Sequence, residues 1–282
     1  MLEIIHSGLH TSIQDLGRLQ YRNVGVPVAG VMDEYHAKLA NQLLGNEEDA
    51  AVMEMTLQGA TMHFHEATQI VICGADLSPK LNHQAIRLNV PVAVKKGDVL
   101  QFGKRLYGVR TYLAVKHGFQ TEKIVQSRSF YDGITPKATV SKGDFISYQS
   151  NSNPVKARAN IALQRALFTD TDIHVYTGPE FDFLSKSQKE KLFSTTFSIG
   201  LNNRMAYQLE ERIANDCPSI ITSAVLPGTI QLTPSGKLII LMKDCQTTGG
   251  YPRILQLDQK SIFKLAQKYT RDTIQFKKLS IS

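Results

Sequence analysis

Several features that would announce a function class are missing from this chain. No apolar run approaches the roughly 18 to 20 residues that a membrane-spanning helix needs. The opening Met1-Leu2-Glu3-Ile4-Ile5-His6 lacks the basic and long apolar segments of a secretion signal. The expectation is a cytoplasmic, unprocessed chain with no membrane contact. Cysteine is scarce: Cys73, Cys217 and Cys245 are widely separated and show no C-x-x-C spacing, so they read as reduced, mostly buried thiols. Gly103-Lys104 and Gly236-Lys237 lack the upstream glycine and following hydroxyl residue of a phosphate loop, so ATP is not held by such a loop. No Gly-x-Ser-x-Gly elbow occurs. Met242-Lys243 lacks the flanks of a biotin-carrying Ala-Met-Lys-Met hairpin, so no biotin is attached to this chain.

What is present describes a folded, mildly basic protein of 282 residues, 42% hydrophobic and 20% charged, with net charge +7. Length alone suggests about two domains, each able to bury a core. The basic residues are scattered, and the densest stretch, Lys260 to Lys278, is interrupted by Ile262, Phe263, Leu265 and Ala266 at helical spacing. That pattern speaks against nucleic acid and fits an anionic small substrate better.

Most of the chain reads as short strands: Leu2 to His6, Gln69 to Cys73, Pro91 to Val94, Val109 to Val115, Ile173 to Thr177, Lys237 to Met242 and Arg253 to Leu257. Three helices interrupt them. One is capped by Asp33, carries Ala37, Ala40, Leu43 and Leu44 on one face, and ends at Gly45-Asn46. Another has capping-box spacing at Ser187 to Glu190, and the third runs from Asp258 to about Lys268. A polar stretch from Tyr148 to Asn160 is the candidate linker, dividing the chain into 1–150 and 151–282. The expected architecture is mainly β, with no α/β alternation.

Two segments concentrate chemistry. The first runs Gln14-Asp15-Leu16-Gly17-Arg18, then Gly25 to Asp33, then the helix bearing Asn41. Glycines there permit close backbone approach, and the Asp33 helix can offer free N–H groups to an anion, although a turn-rich connection with a plain helix cap explains the same residues. The second joins Asn203-Arg204 to Asp244 and Thr247-Thr248-Gly249-Gly250-Tyr251. It reads equally as an anion-binding turn served by Arg204 or Arg253 and as a hairpin loop whose glycines supply positive φ. His63 and His65 share one strand face across Phe64, but no third ligand is spaced nearby, so no metal is expected.

At these segments the chain resembles the biotin-dependent carboxyltransferase-like family, also called allophanate hydrolase subunit 2-like or KipA-like, which includes the C subunits of bacterial 5-oxoprolinases. The matching residues are Gln14 to Arg18, Gly25-Val26-Pro27, Gly30-x-Met32-Asp33, Ala40-Asn41-x-Leu43-x-Gly45-Asn46 and Glu54. They continue through Asn203-Arg204-Met205-x-Tyr207-x-Leu209, Ser223, Pro227 to Gln231, and Asp244-x-x-Thr247-Thr248-Gly249-Gly250-Tyr251-Pro252. The resemblance implies a cyclophilin-like architecture with two β-barrel-like subdomains. It also implies a B-type, KipI-like partner, a further lactam-hydrolase component of A type, and use of ATP, with Mg, at a site shared with the partner.

The implied activity is ATP-dependent activation of the lactam of 5-oxoproline. Carboxylation of a urea-type amide and sequestration of a KipI-like kinase inhibitor are the alternatives. An amide needs a donor and an acceptor, which Gln14 or Asn41 can supply. Asp15, Asp33 or Asp244 would handle the proton, and Arg18, Asn203, Arg204 and the Thr247 to Tyr251 turn would hold the anion. Gln20, His117-Gly118, Gln126 to Phe130 and Thr270 to Asp272 depart from the family pattern; a Gly is usual at 20, 117, 126 and 271, and only Gly enters positive φ freely.

Overall fold

The computed structural model describes residues 1–151, 165–218 and 220–280. Most of the anticipated linker, 152–160, lies outside the described residues. The chain forms two compact units: Met1–Arg18 with Ala29–Arg165, and Leu19–Val28 with Ala166–Ser282. The short segment 19–28 thus groups with the C-terminal half, an exchange that no turn or composition signal in the sequence announced.

In the first unit the elements run β1 (Leu2–His6), β2 (His10–Gln14), α1 (Glu34–Leu44), β3 (Val52–Thr56), β4 (Thr61–Phe64), β5 (Thr68–Asp76), β6 (Lys80–Leu81), β7 (Gln84–Ala85), β8 (Val92–Val94), β9 (Val99–Gln101), β10 (Tyr107–Val115) and β11 (Phe145–Ile146). They make two sheets, ordered β11-β1-β4-β9-β6-β7 and β2-β3-β10-β5-β8. Between them lies one core that takes Leu2, Ile4, Met62 and Phe64 from the first sheet and Ile13, Met53, Ile70, Ile72, Leu113 and Val115 from the second.

Both β5 and β10 are buried along nearly their whole length because they have covered faces on both sides. Their alternate residues Val71, Cys73, Tyr112 and Ala114 pack instead against Ala37, Ala40 and Leu44 of α1. Desolvation in that layer pushes the Cys73 thiol well above its ordinary range, which makes it an inert packing group. Helix α1 begins and ends where its sequence says. The Asp33 side chain accepts the His36 amide, and Gly45, at φ 62°, returns its N–H to the carbonyls of Asn41 and Gln42.

The second unit contains a 3-10 turn (Leu19–Val24), α2 (Ala166–Thr169), β12 (Asp172–Thr177), α3 (Lys186–Ser194), β13 (Phe197–Asn202), β14 (Ala206–Arg212), β15 (Ser223–Ala224), β16 (Thr229–Leu232), β17 (Lys237–Leu241), β18 (Thr248–Gly249), β19 (Arg253–Leu257), α4 (Gln259–Ala266) and β20 (Thr273–Lys278). Seven strands close a barrel in the order β12-β19-β16-β17-β14-β13-β20, with β15 and β18 forming a separate pair. The only parallel pairing among the described strands, β12 with β20, sets Ile173 opposite Phe276. Alternating residues such as Ile173 and Val175, Phe197 and Ile199, Tyr207 and Leu209, and Leu238 and Ile240 are buried, the period expected of a barrel wall. The capping box of α3 sits two residues earlier than Ser187 suggests: Ser185 accepts from Gln188 and the Gln188 side chain answers. Asp258 caps α4 as expected. Among the described residues no helix is long and apolar enough to cross a membrane.

The expected mainly β architecture with a few short helices is the one present; of the two barrel-like subdomains expected, the second unit closes a barrel and the first sets two sheets about one core.

Candidate functional site

Each polar motif is considered within its own unit. In the first, Asp15 follows β2 directly and its carboxylate collects donors. Oδ1 accepts the Gly17 amide at 2.9 Å and the hydroxyls of Ser127 and Ser129 at 2.6 Å each, while Oδ2 accepts the Arg128 amide at 2.6 Å. Arg18, buried, donates from Nε to the Ile124 carbonyl at 3.1 Å and from Nη2 to that of Ser129 at 2.6 Å. Gln14 donates to Ser12 Oγ and the Phe130 carbonyl, whereas its own Oε1 is buried without a hydrogen-bond partner. All three motif residues therefore converge on the loop 124–130.

That loop carries one of the departures from the family pattern, Gln126 to Phe130, and its backbone is strained there. Gln126 has φ 60°, His117 φ 67° and Arg271 φ 76°, so non-glycine residues occupy the left-handed region at three of the positions where glycine is usual, and Val125 beside Gln126 has φ 50°. Non-glycine residues in that region store backbone strain at these turns. Gln20 lies in the 3-10 turn Leu19–Val24 and needs no such conformation. Beside the loop is a cleft of about 330 Å³ whose lining includes Thr121, Ile124, Phe130, Lys137 and Phe145.

Asp33 and Asn41 are fully buried. Asp33 Oδ2 lies 2.6 Å from His36 Nδ1, and its backbone N–H donates to Tyr112 Oη. Tyr112 in turn donates to Glu54 Oε2, which also accepts the Met32 amide at 2.7 Å; Arg110 stands 3.8 Å from Glu54 Oε1. Burial and the carboxylates of Glu54 and Asp33 keep the Tyr112 phenol protonated far above its ordinary range. Asn41 donates to the Ala50 carbonyl at 2.8 Å and accepts from Asn46, so its amide ties down the connection from α1 to β3.

In the second unit Arg204 makes a two-pronged ion pair with Asp244, Nε to Oδ2 at 2.8 Å and Nη2 to Oδ1 at 2.9 Å. Asn203 Oδ1 accepts the amides of Met205 and Ala206 and shapes the turn that presents Arg204. The Thr247 carbonyl accepts the Val225 amide at 3.1 Å and Arg22 Nη2 at 3.3 Å. Thr248 and Gly249 pair with Ser223 and Ala224. Neither Gly249 nor Gly250 has positive φ. Glycine at 249 answers to space: a Cβ would stand 2.6 Å from Gln231 Nε2, whose side chain holds the Tyr251 carbonyl at 3.3 Å. Gln246, Thr248, Gly250 and Tyr251 remain exposed. Arg253 is bound in turn by Glu180, Nε to Oε2 at 3.0 Å and Nη2 to Oε1 at 2.8 Å.

Sequence reasoning missed Ser127, Ser129, His36, Arg110, Tyr112, Arg22 and Glu180 as partners of these motifs. The Asp33-x-x-His36 spacing and the Arg110-x-Tyr112 alternation on one strand face carried a local signal. Arg22 and Glu180 carried none, since their partners lie more than seventy positions away.

The carboxyltransferase domain family, subdomains A and B, matches residues 24–278. In sequence the chain is 28% identical to the C subunit of 5-oxoprolinase from Escherichia coli (strain K12), over 100% of this chain and 92% of that protein. It is 30% identical to urea amidolyase of Saccharomyces cerevisiae, over 99% of this chain and 17% of that protein. In structure it is similar to the urea amidolyase of K. lactis, with TM-score 0.85 and 28% identity over 99% of this chain and 19% of that one.

Proposed function

Because the chain belongs to the carboxyltransferase domain family, subdomains A and B, we propose that it serves as the C-type component of an ATP-dependent 5-oxoprolinase, acting on the lactam together with a B-type, KipI-like partner. The observation that carries this reading is the extent of the similarity: it spans 92% of the 5-oxoprolinase C-type relatives but 17% of the urea amidolyases. A lactam hydrolase of A type would complete hydrolysis to glutamate.

In this reading the residues divide the work. Gln14 Oε1, the buried acceptor without a partner, would accept the ring N–H. Asp15 and Arg18 hold the loop 124–130 in its strained shape. Asp33 and Asn41 position the first motif through α1. Asn203, Arg204 and Asp244 set the platform for the Thr247 to Tyr251 run, in which Thr248, Gly250 and Tyr251 are exposed and would meet the developing negative charge on the lactam oxygen.

ATP supplies the phosphoryl group that turns the lactam oxygen into a leaving group. The described arginines of the second motif are already matched by carboxylates, Arg204 by Asp244 and Arg253 by Glu180. That pairing suits orientation of a substrate better than capture of a triphosphate, and supports a reading in which the partner would hold most of the nucleotide's phosphates. Cytoplasmic location accompanies this reading. The second reading, carboxylation of an amide nitrogen, draws on the 30% identity with the urea amidolyases.

The test is reconstitution with a B-type partner. 5-Oxoproline-dependent ATP hydrolysis should exceed the sum of the separate proteins, and Arg204→Ala should lower it at least about tenfold through loss of one charge-assisted contact. No stimulation on mixing would overturn the proposal.

A further inference from the structure

The pair His63 and His65 has a third neighbour that the sequence alone hides. Strand β1 lies antiparallel beside β4 with Glu3 directly opposite His63. Side chains at 63 and 65 share a face, while Phe64 points the other way into the core, fully buried. One carboxylate oxygen, Glu3 Oε2, faces both rings: His65 Nε2 at 2.8 Å and His63 Nδ1 at 3.5 Å. The three ligand atoms all lie within 4.8 Å of one another, and the two ring centroids are 4.6 Å apart.

We propose that Glu3, His63 and His65 form a binding site for a divalent transition-metal ion, zinc in particular. Two imidazoles and one carboxylate are a recurrent zinc donor set, with bonds of about 2.0–2.1 Å. Tetrahedral geometry on such bonds places ligand atoms about 3.3 Å apart. The His63 contact is already near that spacing, the His65 contact has to open by about 0.5 Å, and the two ring nitrogens, within 4.8 Å of each other, have to draw together by side-chain rotation. Each ring can donate its own N–H to the shared oxygen, and a bound ion would replace those two hydrogen bonds with three ligand bonds. The side chains are 28%, 31% and 37% exposed for Glu3, His63 and His65, so solvent reaches the ion and supplies its fourth ligand. Glu3 and His63 project from the paired strands β1 and β4, and His65 follows β4 directly with its amide held by the Met1 carbonyl at 3.0 Å; Phe145, opposite Glu3 on the other flank of β1, lays its ring 5.7 Å from that of His65. Bound zinc would clip β1 to β4. Neither polar motif takes part, so the site is separate from the lactam chemistry proposed above.

The experiment is calorimetric titration of zinc sulfate into the full chain after chelator treatment, with cobalt(II) absorption as a geometric readout. Expected are one ion per chain, visible cobalt d–d bands of a four-coordinate site, and an affinity lowered at least tenfold by each of Glu3→Gln, His63→Ala and His65→Ala. Thermal melts without metal check that each variant is folded. If one fails to fold, the wild-type protein should still gain melting temperature with zinc and lose the gain with EDTA. Absence of saturable zinc binding up to millimolar concentration, or equal affinity in the folded double variant H63A/H65A, would overturn the proposal.

Discussion

At the scale of single residues, the motif side chains are mostly occupied with one another, and their chemistry follows from which donors remain. Asp15 is a buried carboxylate with four donors aimed at it, two of them hydroxyls. Removing one leaves a charged acceptor short of a partner in a site closed to water, which costs about 1–3 kcal/mol. Ser129→Ala should therefore lower unfolding free energy by that amount in urea melts. It should also relax the 124–130 loop, since the Ser129 hydroxyl accepts the Asp15 amide as well. A loss below a few tenths of a kcal/mol would show that the serine hydroxyls are incidental.

The ion pair between Glu180 and Arg253 makes a prediction with a sign. The guanidinium hydrogen bonds hold the Glu180 carboxyl below its ordinary 4.5 in the folded protein. The stabilisation it contributes is thus complete above about pH 4.5 and is lost as the pH falls through the lower folded-state value. The difference in urea midpoint between wild type and Glu180→Gln should be largest near neutrality and shrink below that window. A difference that stays constant down to pH 3 would contradict the assignment.

At the scale of elements, legibility followed locality. Helix α1 could be read residue by residue because its signals, Asp33 before it, Gly45 after it and an apolar stripe between, are all local. Strands β5, β10, β12, β17 and β19 showed as aliphatic runs. Strand β3, Val-Met-Glu-Met-Thr, did not, because a buried Glu54 breaks the apolar pattern and its reasons, the Tyr112 hydroxyl and the Met32 amide, come from elsewhere in the chain. Strand β14 was masked likewise by its outward polar residues. The motif positions were legible, but their partners in the loop 124–130 were not, since pairing across more than one hundred residues leaves no trace in spacing.

The loop itself carries a testable strain. Val125 is β-branched at φ 50°, a conformation that asparagine tolerates far better. Val125→Asn should raise stability by about 1 kcal/mol, measured as a higher denaturation midpoint at unchanged slope. Unchanged or lower stability would mean that side-chain packing at 125 outweighs the backbone term.

At the scale of the whole molecule, the two compact units each bring a complete core and one polar motif. The family model spans nearly the entire chain, 24–278. The central claim is the proposal that this chain serves a lactam rather than an open-chain amide. The most direct measurement is substrate choice by the reconstituted complex: initial rates of ATP hydrolysis with 5-oxoproline and with urea, at equal concentration and without biotin carrier. The account predicts stimulation by 5-oxoproline and none by urea. Stimulation by urea, or equal indifference to both, would contradict it.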